Sequence, residues 1–275
     1  MLHTLINGVS CRHLPVIDRG LHYGDGLFET IACVDDGLQF WDEHIARMLH
    51  GAECLGIDPA AINYFNDDVT TMLQQHGISN GVIKLMLTRG QGERGYRSPL
   101  TQKTTRVVII TDLPEYPGSY ITEGICACFC QYPISKNPRL AGIKHLNRLD
   151  NVLARSEWQD EYQEGLMLDD TGNIVEGTMS NVFAVSNGKL FTPSLNYSGV
   201  DGIIRKQVLS IAQAQGIKTN ITDINKEELI RMDEIFICNS LIGIWPVSSL
   251  DDANYKVGSI TQSLFESLQQ QMRAQ

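Results

Sequence analysis

The chain has 275 residues, of which 43% are hydrophobic and 20% charged, enough to bury one large core or two moderate ones. Its formal charge of -10 argues against a nucleic-acid or anionic-membrane partner, so an anionic small substrate would need a local basic pocket. No stretch approaches the ~20 apolar residues of a membrane helix, and MLHTLINGVSCRH has no basic region leading into an apolar run, so no secretory leader is expected.

In chain order, residues 2–6 and 9–16 read as a strand pair about Asn7-Gly8, and 27–34 and 38–41 as another about Asp35-Asp36-Gly37. Helices follow at 42–56 and 62–76. The first takes Ile45, Met48, Leu49, Ala52 and Leu55 as its buried stripe, leaving Arg47 off that stripe as a solvated charge. Strands are expected at 81–88 and 106–112. LPEYPGSY then reads as a linker, which divides the chain into residues 1–115, a linker at 116–120, and 121–275. The second part opens with a strand at 122–131, passes AGIKHLNRLDN, and continues as a meander: EGLMLDD, IVEGTMSNVFAV and KLFTP, with an Asn187-Gly188 hairpin. Helices at 203–215, 225–231 and 258–273 surround a strand at 234–238.

Several common chemistries lack their residues. The seven cysteines show no framework spacing: Cys126, Cys128 and Cys130 alternate as on one face of a strand, and among the seven histidines there is no HExxH. His44 and His50, six apart, do not share a helix face. No metal site and a reduced, cytoplasmic protein are therefore expected. Gly90, Gly92 and Gly95 have GxGxxG spacing, but YRSPLTQK follows where a dinucleotide fold needs a helix, leaving a flexible loop that carries Arg94 and Arg97. GxxxxGK[ST], GxSxG and SxxK are absent, and the adjacent carboxylates Asp67-Asp68 and Asp169-Asp170 point apart as surface charges.

Four stretches remain. In AGIKHLNRLDN, Lys144 follows a short apolar segment. Asn147 is a candidate N-cap with Asp150 three residues on, and Leu149, Val152, Leu153 and Ser156 follow at helical spacing. A helix entrance and burial both disfavour an ammonium ion, so Lys144 should have a lowered pKa; the alternative is a lysine whose stem packs while its head reaches water. In IVEGTMSNVF, Glu176 shares a strand face with Ile174 and Thr178, which places a carboxylate toward a core or cavity unless Gly177 marks a bulge that turns it to solvent. Gly202 opens an apolar helix whose amides could hold an anion, and ICNSLIGIWPV ends a strand at Asn239 and Ser240.

Together, from DRGLHYGDGLFET to the carboxyl-terminal strand, these stretches resemble the fold-type IV pyridoxal phosphate enzymes: branched-chain and D-amino-acid aminotransferases and 4-amino-4-deoxychorismate lyase. The resemblance implies an α+β fold with a smaller N-terminal α/β domain and a larger cofactor-binding domain built on a β-barrel-like core. It implies that Lys144 binds pyridoxal 5′-phosphate covalently and acts as the base. Glu176, in the E-x-x-x-x-N-[VL]-F pattern, would pair with the pyridine nitrogen, and Arg47, Ile203, Ile204 and Ser240 would hold the phosphate. KHLNRLDNVLAR and RGQGERGY look most like the lyase, and Leu149 stands where branched-chain aminotransferases have a tyrosine. Glu29 in GLFET fits a D-amino-acid aminotransferase equally, which keeps a transaminase as the second reading; a non-catalytic binding protein on this scaffold is the third. For the lyase substrate, with its two carboxylates, Arg94, Arg97 and Arg148 are the candidate contacts and Thr30 a candidate hydroxyl. The resemblance also implies a homodimer.

Overall fold

Alternation in GLFETIACV and GVIKLMLT puts Leu27, Glu29, Ile31 and Cys33 on one face of a strand and Ile83, Leu85 and Leu87 on the same face of its neighbour. The computed structural model describes residues 2–274, which divide into two compact units. The first holds residues up to Pro114 and, out of chain order, Ile143–Asn147. Its elements are β1 (Leu2–Ile6), β2 (Val9–Ser10), α1 (Arg19–Tyr23), β3 (Gly26–Val34), β4 (Gly37–Leu38), α2 (Trp41–Leu55), a 3₁₀ turn at Pro59–Tyr64, α3 (Phe65–His76), β5 (Gly81–Thr88) and β6 (Thr105–Thr111). They make an antiparallel six-stranded sheet in the order β2-β1-β6-β5-β3-β4. Its core face is covered by Met48 and Ala52 of α2 and Phe65, Val69 and Met72 of α3.

The strand expected over 9–16 stops at Ser10, short of Pro15, which has no N–H to give to a ladder. The helix expected from 62 begins at Phe65, after the 3₁₀ turn that Pro59 opens. The second hairpin ends at Leu38, because Trp41 already starts α2. Helix α1 has five residues, too few for a period to be legible; Asp18 caps it by accepting from the Gly20 N–H at 2.8 Å.

The second unit contains α4 (Ser119–Thr122), β7 (Ile125–Phe129), α5 (Leu149–Arg155), β8 (Glu164–Leu168), β9 (Ile174–Gly177), β10 (Asn181–Ser186), β11 (Lys189–Pro193), α6 (Ile203–Ala214), β12 (Thr219–Thr222), α7 (Lys226–Ile230), β13 (Glu234–Asn239), β14 (Gly243–Leu250), β15 (Ala253–Asn254) and α8 (Ser259–Arg273). Its sheet runs β12-β11-β10-β13-β14-β7-β8-β9, with β15 on β14, and curls until β9 comes back beside β10 and β11. Strand β14 escapes a reading of the sequence because Pro246 interrupts it; the register shifts between Val247 and Ser249, beside that proline. The expected continuous strand IVEGTMSNVFAV is two strands, broken at residues 178–180, so Thr178 does not share a strand face with Glu176. Cys128 of β7 and Cys130, just past its end, are buried, but Cys126 of β7 is exposed. Burial pushes the Cys128 thiol up to about 12, which makes it an inert packing group. Among the described residues no helix is long and apolar enough to cross a membrane.

Candidate active site

In the first unit, the Lys144 segment is extended. The Phe28 N–H donates to the Lys144 carbonyl (3.0 Å) and the Leu146 N–H to the Gly26 carbonyl (2.9 Å), which lays residues 144–146 against the start of β3. The half-buried Lys144 places its Nζ 4.5 Å from the centroid of the Phe28 ring. Asn147 does not cap the following helix. It donates from Nδ2 to the Gly24 carbonyl at 3.1 Å, and α5 starts at Leu149 with Arg148 as N-cap. The expected stripe is also displaced: Leu149 is 67% and Val152 61% exposed, while Ala154 is the residue α5 buries. In sequence, Lys144 lies five residues before the seven-residue α5 and not at its first turn. Its setting is a strand edge and an aromatic face.

Arg47 is not a solvated charge. Helix α2 buries His44, Arg47, Met48, Gly51 and Ala52 and leaves Leu49 40% exposed, so the buried stripe is turned from the one the apolar residues suggest. Glu29 on β3 is the cause. Its carboxylate accepts from Arg47 Nε at 2.8 Å, from Arg47 Nη2, and from His44 Nδ1 at 2.6 Å, all three groups being buried. Burial alone would raise the Glu29 carboxyl, but the Arg47 guanidinium and His44 outweigh it and hold it down at about 2. Burial pushes the His44 imidazole below its ordinary value, with Arg47 and Lys144 adding to the effect against the pull of Glu29.

Arg94 and Arg97 are both exposed on the loop after β5, and Tyr96 between them is 86% exposed. The loop is nevertheless anchored. Buried Arg19 donates to the carbonyls of Gly95 (3.0 Å), Tyr96 (3.2 Å) and Arg97 (3.3 Å), while its Nε and the Arg89 Nε both bond Asp25 Oδ2 at 2.8 Å. Asp18 binds the Thr88 and Thr105 hydroxyls at the two roots of the loop, at 3.0 and 2.8 Å. DRGLHYGDG is therefore the frame of this loop. Thr30 is half-buried on β3.

In the second unit, Glu176 is buried at 4% exposure, which removes the solvent-facing alternative. Its Oε2 accepts from the Val200 N–H at 2.7 Å, and the Asn181 side chain donates to the Val200 carbonyl at 2.9 Å. Two residues beyond Val200, Gly202 is the N-cap of α6, so no cap side chain occupies the first-turn amides of Ile203 and Ile204. Ser240 is half-buried in the turn between β13 and β14, where Asn239 Oδ1 accepts from the N–H groups of Leu241 (2.8 Å) and Ile242 (3.0 Å). Arg148 is half-buried. Within the second unit the structure thus links Glu176 to the α6 entrance, through Val200. Reasoning from sequence gave Arg19, His44 and Asn181 no role and did not pair Glu29 with Arg47. Asn181 was visible as the asparagine of the E-x-x-x-x-N pattern; the others sit at positions where only the partner reveals the role.

The profile described as amino-transferase class IV matches residues 26–250. The chain belongs to that family. An aminodeoxychorismate lyase of Vibrio harveyi is 31% identical over 94% of this chain and 97% of its own. A putative branched-chain-amino-acid aminotransferase of Methanocaldococcus jannaschii is 34% identical over 92% and 89%. The crystal structure of 4-amino-4-deoxychorismate lyase from Pseudomonas aeruginosa superimposes with a TM-score of 0.90 at 39% identity, covering 97% of this chain and 98% of that one. Class IV enzymes of this fold, fold type IV, depend on pyridoxal 5′-phosphate, and this chain is one of them.

The residues of the second unit fit that cofactor. A Cβ on Gly202 would lie 2.0 Å from Asn181 Oδ1, so a side chain at the helix entrance would displace the asparagine that orients Val200. What remains is an uncapped helix entrance, suited to a phosphate dianion. Glu176, buried and fixed by a main-chain N–H, is a suitable partner for a protonated ring nitrogen.

Proposed function

We propose that the chain is a lyase that converts 4-amino-4-deoxychorismate to 4-aminobenzoate and pyruvate. The observation that carries the choice is the 39% identity with the Pseudomonas lyase over 97% of this chain; Leu149 at the aminotransferase tyrosine position supports the same choice. Lys144 and Arg47 of the first unit, with Glu176, Ile203, Ile204 and Ser240 of the second, are the residues we assign to the cofactor. A homodimer, a cytoplasmic location and the domain limits stated above belong to the same proposal.

Bound pyridoxal phosphate supplies an electron-withdrawing ring that accepts the negative charge developing beside the substrate nitrogen. Glu176 would keep the proton on the ring nitrogen, and the amides of Ile203 and Ile204 with the Ser240 hydroxyl would hold the phosphate. Arg47, held in place by its Nε and Nη2 bonds to Glu29, would be presented to the phosphate as an oriented guanidinium. Lys144 Nζ removes the C4 proton of the substrate. The C3–O bond then breaks, a C3–C4 double bond completes the aromatic ring, and enolpyruvate leaves, taking a proton on carbon to become pyruvate.

The purified holoenzyme given aminodeoxychorismate is expected to form 4-aminobenzoate and pyruvate in equal amounts, with the cofactor in its aldehyde form after many turnovers. If D-alanine or a branched-chain amino acid instead converts the cofactor to pyridoxamine phosphate, and aminodeoxychorismate is inert, the lyase reading fails and the transaminase reading replaces it.

Arg94 and Arg97 are the proposed carboxylate contacts, and the Arg19 anchor makes a further expectation. Arg97→Ala and Arg19→Ala should each raise KM by roughly 10- to 100-fold, one by removing a charge and the other by releasing the loop that aims it. Steady-state kinetics checks this; an unchanged KM in both would remove the loop from substrate recognition.

A further inference from the structure

Glu164 on β8 is fully buried at 0% exposure and has no place in the reaction above. Every hydrogen bond to its carboxylate comes from a neutral donor. Oε1 accepts from the N–H groups of Gly165 (2.9 Å) and Thr178 (3.0 Å) and from the Thr178 hydroxyl (2.6 Å). Oε2 accepts from the Ser180 hydroxyl (2.7 Å) and the Met179 N–H (3.4 Å). That donor set uses all the acceptor capacity a carboxylate has. Four of the five donors belong to residues 178–180, the break between β9 and β10.

Glycine at 177 lets the break close on the carboxylate, since a Cβ there would lie 2.2 Å from Ser180 Oγ and 2.8 Å from Glu164 Oε2. The wrapped turn then spreads outward. Glu176 enters it and Asn181 leaves it, and these two residues grip the N–H and the carbonyl of Val200. On the other side, the Met179 carbonyl accepts from Asn239 Nδ2 at 3.1 Å, and Asn239 Oδ1 holds the backbone just after Ser240. The Thr178 carbonyl accepts from Asn151 Nδ2 at 2.9 Å.

We propose that Glu164 is a positioning residue for the cofactor, whose carboxylate locks the 177–180 turn and so fixes the Glu176 carboxylate and the Ser240 turn relative to one another. This rests on the reading that Glu176 and Ser240 hold pyridoxal phosphate. A site of five inward donors requires an acceptor at both oxygens. A glutamine presents an NH2 to one set, repels it, and releases the turn.

The test is the affinity of the full-length apoprotein for pyridoxal phosphate, with the circular dichroism of the bound cofactor and the melting temperature of the apoprotein, in wild type, Glu164→Gln, Thr178→Val and Glu176→Gln. Glu164→Gln should weaken cofactor binding by roughly 10- to 100-fold and change the cofactor's dichroism band, and Thr178→Val should do the same more weakly. If Glu164→Gln only lowers the melting temperature, with affinity and dichroism as in wild type, Glu164 is structural and the proposal is wrong. If Glu164→Gln does not fold, Thr178→Val decides by the same two readouts, because it removes one donor and leaves the carboxylate. Glu176→Gln separates the two readings: a wild-type cofactor spectrum in that variant would sink the Glu176 assignment itself, and with it this proposal, whereas an altered spectrum there beside a silent Glu164→Gln sinks only the role of Glu164.

Discussion

Lys144→Ala is expected to fold normally and to lose turnover by at least ~10²–10⁴-fold, the usual contribution of a positioned base, with further loss from the missing covalent attachment. The structure explains why the two effects separate. It is the Lys144 carbonyl, not the side chain, that pairs with β3 through the Phe28 N–H, so truncation leaves the strand edge intact. The side chain's stacking on Phe28 is worth ~0.5–1 kcal/mol, a small part of a domain's stability. Product assay, near-visible absorbance of the purified protein and a melting curve check this together. A variant that keeps several per cent of wild-type kcat would remove Lys144 from the catalytic role.

Glu29→Gln should show the opposite pattern, a large loss of stability: ~3–5 kcal/mol, the usual cost of removing one partner from a buried ion pair. Arg47 is 8% and His44 0% exposed, so neither can turn to water when the carboxylate goes. Replacing Glu29 and Arg47 together, as Glu29→Gln with Arg47→Met, should recover much of that loss because both charges of the buried pair are removed at once. Since the folded-state carboxyl is held at about 2, below the ~4.3 of an unfolded glutamate, its contribution is complete above about pH 4.3 and is lost as the pH falls toward 2. Urea unfolding of the apoprotein between pH 7 and pH 3 measures both; Glu29→Gln within 1 kcal/mol of wild type at pH 7, or with an unaltered acid limb, would show that the pair carries little.

These two residues also show how far the sequence can be read. Strand β5 at 81–88, the Asn7-Gly8 and Asn187-Gly188 hairpins and α6 from Ile203 stand where the alternation, turn residues and helical period place them, because each is decided within a few neighbouring residues. Glu176 was legible as a carboxylate set among strand residues. The stripe of α2 was not, because hydrophobic spacing cannot show that a glutamate on β3 makes it favourable to bury an arginine and a histidine. The entrance of α5 was misplaced for a similar reason: Asn147 has the side chain of a cap, but the Gly24 carbonyl, more than a hundred residues earlier in the chain, claims it.

The sequence by itself determined elements such as β5, the two Asn-Gly hairpins and α6, the family, and the residue types available for chemistry, since these depend on short-range periodicity and on motifs that stay contiguous. Only the tertiary structure decided what those residues do to one another. It laid the Lys144 segment against β3, made Arg47 the partner of Glu29, and gathered residues 178–180 around Glu164. The physical reason is the same in each case: a charge or a hydrogen-bonding group is defined energetically by the partner that replaces water, and here that partner is distant in sequence.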